Sequence, residues 1–171
     1  MAEKRTLTIS APDKDGNFTL DWTSTFTATG GNIILERTPI KGQPGGKGWG
    51  GYAGLSIRMA KETRGWQFVN SEGGEGKGQT HGKPAQWVAA SGKTPSGKQA
   101  FIAFISHTSN PREPSIWYVE PGMPYFSPAI IFKEPMKLEQ DKTLALKYRI
   151  VVCNGEFKKD AVDALAKSFN Q

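Results

Sequence analysis

A chain of 171 residues has the length of one domain, and near that size a chain buries about 70% of its unfolded surface, enough for a core without disulfide staples. Charged residues make up 22% and hydrophobic residues 37%, a globular balance, while 20 glycines and 11 prolines predict many turns and short strands. The net charge of +6 comes from Lys and Arg scattered among acids, which argues against a nucleic-acid-binding face, and no run of about 18 apolar residues exists to span a membrane.

The opening "MAEKRTLTIS" is charged and has no apolar stretch behind it, so no signal peptide is visible. The expected location is cytoplasmic, or periplasmic or secreted where a native leader precedes this start. Its "RTLTIS" alternates as a strand does. "NFTLDWTSTFTA" has period two, with Phe18, Leu20 and Trp22 on one face, and "DKDGN" between them reads as a hairpin turn. Asp13 and Asp15 suggest a calcium loop, but Gly16 comes too early for that ligand pattern.

"NIILER" follows as a strand. The glycine-rich stretch from Pro39 to Gly51 then reads as mobile surface or the rim of a site. A phosphate loop needs a glycine five residues before Gly-Lys-Ser/Thr, and the only Gly-Lys-Thr, Gly92 to Thr94, has Trp87 there. "YAGLSIRM" and "WQFVN" predict strands, and "SEGGEGKGQTHGK" a second polar loop. "AQWVAAS", "KQAFIAFIS", "SIWYV", "FSPAIIF" and "KTLALKYRIVVC" complete the strand content. The last is apolar on alternate residues and then continuously, as in a strand entering a sandwich core. It ends at Cys153, the only cysteine, which excludes an internal disulfide and reads as a buried thiol.

A terminal helix is predicted over 157–169, with Phe157, Ala161, Leu165 and Phe169 four apart and Val162 and Ala166 beside them. About nine or more short strands with one C-terminal α-helix predict an all-β fold, an antiparallel β-sandwich in a single domain over 1–171.

Two histidines limit the chemistry available. His81 and His107 are 26 residues apart with no ligand at short spacing, so no metal site and no cofactor are assigned. A hydrolytic triad lacks its Gly-x-Ser-x-Gly elbow. Of the acids, Glu72 is best placed, where "FVNSEGG" leaves a strand for a loop. The aromatics Trp49, Tyr52, Trp66, Trp87, Trp117, Tyr118, Tyr125 and Phe126 border strands and loops, where they either stack on sugars or fill a core.

In order, "GGYAGLSIRMA", "FVNSEGG", "HGKPAQWVAASG", "FISHTSNPREPSIWYV" and "YFSPAIIF" resemble the bacterial methane oxygenase PmoA-like family, a family of unknown function. The resemblance spans roughly Phe18 to Gly155, and its matching positions include Arg58, Asn70, Glu72, Gly82, Lys83, Pro84, Trp87, His107, Asn110, Pro111, Arg112 and Trp117. It implies a β-sandwich associated with carbohydrate, as members often occur with bacterial sugar-degrading systems, and correspondence to the C-terminal part of longer proteins. A true methane-oxidising subunit needs membrane spans and a multi-histidine site, and this sequence has neither. Where such members read Asp-His-Pro-Ser-Asn-Pro-Arg-His-Pro, this chain has "SHTSNPREP", so Ser106 replaces an orienting acid beside His107.

The resulting expectation is a carbohydrate-binding or carbohydrate-processing domain, its cleft made by loops 43–51, 71–84 and 107–117. In the processing form, His107 is the acid or base and Glu72 its complementary carboxylate. Arg58, Asn70, His81, Lys83, Asn110 and Arg112 contact the ligand, and Trp117 is the stacking platform. The alternative is a structural or protein-interaction domain. Neither nucleic acid nor membrane is an expected partner, and the sequence does not set the oligomeric state.

Overall fold

The computed structural model describes residues 1–171 and is built of antiparallel sheets. Strands β1 (Ala2–Ile9) and β2 (Phe18–Thr27) form the first hairpin. Asp13 closes its turn by accepting the N–H groups of Asp15 and Asn17, both at 2.9 Å, and the Asn17 amide. Those bonds hold its carboxyl below the usual carboxylate range. Gly16 takes φ +80°, a conformation that side-chain-bearing residues avoid. The acids of this turn thus serve the hairpin itself.

The chain continues through β3 (Ile33–Leu35), β4 (Ile57–Arg58), β5 (Gln67–Asn70), a one-turn helix α1 (Gly76–Thr80), β6 (Trp87–Lys93) and β7 (Gln99–Ser106). It ends with β8 (Trp117–Glu120), β9 (Tyr125–Pro128), β10 (Met136–Leu138), β11 (Thr143–Asn154) and α2 (Lys159–Phe169). One sheet has six strands in the order β1-β2-β11-β7-β6-β5. A second layer is divided between the three-stranded β4-β9-β8 and the two-stranded β10-β3.

The sandwich core lies between the layers. Trp22, Phe68, Val88, Phe104, Leu146 and Tyr148 from the large sheet meet Trp117, Val119, Phe126, Ile130, Ile131 and Leu138. Phe104 sits at its centre, edge-on to Trp117, Phe126 and Tyr148 at 5.5–5.9 Å between ring centroids. On the opposite face of the same sheet, Trp87, Ala89, Ala103, Ile105 and Val151 pack against Val162, Ala166, Leu165 and Phe169 of α2. The large sheet is therefore covered on both faces along β6, β7 and β11. This is why those strands read as continuous apolar runs. Trp87 Nε1–H donates to Asp163 at 2.9 Å and pins the helix to the sheet.

Several boundaries differ from the sequence reading. The helix starts at Lys159, with Phe157 packing ahead of it, and Ala161 faces solvent outside the buried stripe. "YAGLSIRM" contributes only Ile57–Arg58 to a sheet, because the carbonyls of Ala53 and Leu55 accept the Ser127 hydroxyl (3.0 and 2.8 Å). "FSPAIIF" turns after Pro128, with Phe132 N–H donating to Ala129 O. The polar loop at 71–83 contains α1, closed by Thr80 Oγ1 bonding Gly76 O. No helix is long and apolar enough to cross a membrane.

Candidate functional site

The loop after β7 satisfies its own polar groups. Glu113 accepts the Ser106 hydroxyl, the Ser115 hydroxyl at 2.7 Å and the Ser115 N–H at 2.9 Å. Burial pushes the Glu113 carboxyl above its ordinary range, against the lowering effect of those bonds. Asn110 is buried. Its amide donates to Lys147 O (2.8 Å) and Ser106 Oγ (3.0 Å), and its carbonyl accepts Lys147 N–H (2.7 Å). Asn110 therefore splices the loop to β11, with both amide donors engaged and the side chain buried.

Arg112 sits at φ +63°, and its guanidinium donates to the carbonyls of Ile130, Glu134 and Pro135 at 2.8–3.1 Å. It clamps this loop to residues 130–135. Trp117, expected as a stacking platform, is wholly buried, with Nε1–H donating to Ala85 O at 2.8 Å. Its indole has no face for a sugar, because β8 turns this residue into the sandwich core.

His107 stands edge-on to Phe169 of α2 at 5.1 Å, and its Nδ1 accepts the Ser109 N–H at 3.0 Å. Burial, and then the nearby Lys147 charge, hold its pKa below the ordinary histidine value. Glu72 is exposed and accepts the Ser71 hydroxyl at 2.9 Å. No hydrogen bond joins His107 to Glu72, Arg58 or Arg112. Asn70 is buried and organises the turn after β5, its carbonyl accepting Glu72 and Gly74 N–H and its amide donating to Gln79 O. Lys83 is exposed, and its backbone carbonyl accepts Trp117 N–H. No three His, Cys, Asp or Glu side chains gather as a metal set.

A different group of side chains does converge. Strand parity turns Tyr118, Glu120, Tyr125 and Arg58 to the outer face of the β4-β9-β8 sheet, while Trp117, Val119 and Phe126 face the core. Tyr118 lies under Tyr52, Tyr125 and His81, with ring centroids 5.3, 5.5 and 4.8 Å away. Tyr125 and Ser56 share a hydroxyl bond at 2.5 Å, and Lys77 of α1 pairs with Glu120. His81 Nδ1 lies 3.1 Å from both the N–H and the carbonyl oxygen of Val119, and burial lowers its pKa. Burial, then Glu120 and the neighbouring tyrosines, raises that of Tyr118. Arg58 is exposed at this face, its guanidinium touching the Met123 sulfur at 3.0 Å. Of the predicted ligand residues, His81 and Arg58 thus belong to one face.

Tyr52 and Ser56 also line the mouth of a cleft of about 560 Å³ between the two layers. Its walls include Trp22, Phe26, Leu35, Ile131 and Leu144, and the polar residues Arg5, Glu36 and Thr38 line it too. Of the expected loop cleft at 43–51, 71–84 and 107–117, Pro84, Arg112 and Pro114 line a separate pocket of about 440 Å³ with Ile130, Phe132 and Glu134, while residues 71–83 fold back on β8 and residues 106–115 bond among themselves. Tyr52 was legible only as one aromatic among many. The alternation in "WYVE" and "YFSP" carried the signal that Tyr118 and Tyr125 point away from Trp117.

No curated protein and no solved structure matches the chain. The profile of a family of unknown function (DUF6807) matches residues 1–167, nearly the whole chain, and carries no oxygenase or carbohydrate assignment; the chain belongs to that family.

Proposed function

We propose that this chain is a carbohydrate-binding domain of its family, and neither a glycosidase nor an oxygenase. The observation that carries the reading is Tyr52. The residue is 37% exposed, lines the cleft and is braced edge-on by Tyr118 and Tyr125. A braced aromatic gives a sugar ring a stacking surface at little cost in conformational entropy. Ser56, Thr38, Glu36 and Arg5 supply hydroxyl, carboxylate and guanidinium groups beside it. The cleft volume falls within the roughly 300–1,000 Å³ of small-molecule sites. The sequence resemblance to a family associated with sugar degradation supports the ligand class. Catalysis by His107 and Glu72 has no such support, since each is engaged within its own loop.

Titration calorimetry with a panel of mono- and disaccharides, including oxidised sugars, tests the reading. A saccharide is expected to bind, and Tyr52→Ala to weaken it at least about tenfold, equivalent to roughly 1.4 kcal/mol. His107→Ala is expected to leave the affinity unchanged. Absence of any binding, or binding indifferent to Tyr52→Ala, removes the proposal.

A further inference from the structure

Strand β1 is paired with β2 along its full length, yet all eight of its residues are exposed. The ladder continues one step past the strand, where Ser10 N–H donates to Thr19 O at 3.0 Å. In an antiparallel ladder backbone groups alternate in direction, so even-numbered residues turn theirs toward β2. Glu3, Arg5, Leu7 and Ile9 then present their N–H and C=O groups to the free edge of the six-stranded sheet. Their side chains share the core face, Leu7 opposite Trp22 and Ile9 opposite Leu20. That face is uncovered here, leaving Leu7 55% and Ile9 62% exposed.

Sheet edges are ordinarily guarded by proline, lysine, a bulge, a short strand or an inward-pointing charge, and of these β1 carries one lysine, Lys4, and the inward-facing Glu3 and Arg5. β1 has no proline, and its register with β2 is unbroken from Ala2 to Ile9. Its inward-facing charges neutralise each other, because Arg5 Nε and Nη2 donate to the two Glu3 carboxylate oxygens at 2.9 Å. Glu3 also takes the Ser24 hydroxyl, which locks the pair against β2. The edge is thus long and regular, with its inward-facing charges paired to each other.

We infer that β1 pairs antiparallel with β1 of a second copy of this chain about a two-fold axis, joining two six-stranded sheets into one. Self-pairing is the interaction that such an edge supports by its own symmetry. The charges select its register. Placing the axis at Lys4 opposes two lysines, and placing it at Arg5 opposes two arginines. With the axis at Thr6, Glu3 faces Ile9 of the second copy, Lys4 faces Thr8 and Arg5 faces Leu7. No like charges are opposed and the whole strand is used. The edge-facing residues then meet one another and exchange both backbone bonds in each pair. Leu7 lies diagonal to Leu7 of the second copy and Arg5 diagonal to Arg5, each arginine held by its own Glu3, so the uncovered apolar residues meet across the axis beside two paired charges. The interface rests on backbone bonds and a narrow apolar strip, and it is a concentration-dependent dimer rather than an obligate one.

Sedimentation velocity from about 1 to about 500 µM tests it. The mass is expected to rise from monomer to dimer and to stop there. Leu7→Pro removes an N–H that β2 does not use, and the double variant Leu7→Lys, Ile9→Lys removes the apolar strip. Each is expected to move the midpoint at least about tenfold higher in concentration, with the circular dichroism of the folded monomer retained. Amide exchange on the unaltered protein supplies a readout that needs no variant. Glu3, Arg5, Leu7 and Ile9 should gain protection with concentration while Lys4, Thr6 and Thr8 do not. A monomer at every concentration, a dimer indifferent to the lysine variant, growth beyond dimers, or protection without the odd-even pattern each overturns the inference. Arg5 lines the cleft but Leu7 and Ile9 do not, so the lysine variant tests dimerisation with the cleft walls intact and Tyr52→Ala tests saccharide binding with β1 intact.

Discussion

Replacing Trp117 with alanine separates a core residue from a ligand platform. The indole is wholly buried, meets Phe104 edge-on at 5.5 Å and donates its only N–H to Ala85 O at 2.8 Å. Truncating a buried tryptophan costs about 3–5 kcal/mol, and an orphaned buried carbonyl costs about 1 kcal/mol or more. The expected loss of about 4–5 kcal/mol takes much of the stability of a chain of this size, ordinarily about 5–15 kcal/mol. At about 2–4 °C per kcal/mol the melting temperature falls by roughly 8–20 °C. Urea unfolding, followed by circular dichroism, measures it as a lower midpoint at an unchanged slope. Trp117→Phe keeps the edge contact with Phe104 and should lose less than half as much. A loss under about 1 kcal/mol for Trp117→Ala, accompanied by weaker saccharide binding, refutes the assignment of this residue to the core.

Two further outcomes follow from the polar groups. Burial raises the Glu113 carboxyl in the folded state, so the fold holds more protons than the unfolded chain just above the ordinary glutamate pKa. The stability linked to that proton is present at lower pH and is lost as pH rises through the folded-state value. Urea midpoints measured from about pH 4 to 8 should fall with pH more steeply in the wild type than in Glu113→Gln; parallel profiles contradict this. Asp13→Ala should destabilise the first hairpin by about 1 kcal/mol through loss of its backbone bonds, while adding calcium or EDTA leaves the melting temperature of the wild type unchanged. A calcium-dependent melting temperature contradicts the reading of that turn.

The strands, the first hairpin and the terminal helix were legible because their signals are local. Period two in "NFTLDWTSTFTA", the Asp and Gly of "DKDGN" and the apolar stripe through Val162 and Ala166 depend only on near neighbours. The candidate site was much less legible. His107, Asn110, Arg112 and Trp117 drew notice as polar and aromatic residues concentrated after a buried strand. In the fold three of them serve structure outright: Asn110 splices to β11, Arg112 clamps 130–135, and Trp117 fills the core. His107 meets the end of α2. A buried polar network and a catalytic cluster draw on the same residue types, since both need hydrogen-bonding groups held rigidly.

By itself, then, the sequence determined an antiparallel β architecture with a C-terminal helix, because alternation and turn chemistry are written in neighbouring residues. Which faces those strands cover was decided only in three dimensions. Tertiary packing laid α2 on one side of the large sheet and the smaller sheets on the other. It buried Trp117, left Tyr52 at the mouth of a cleft, and left β1 uncovered. The physical reason is that burial belongs to surfaces that meet, and these surfaces come from residues as distant as Trp22 and Ile131.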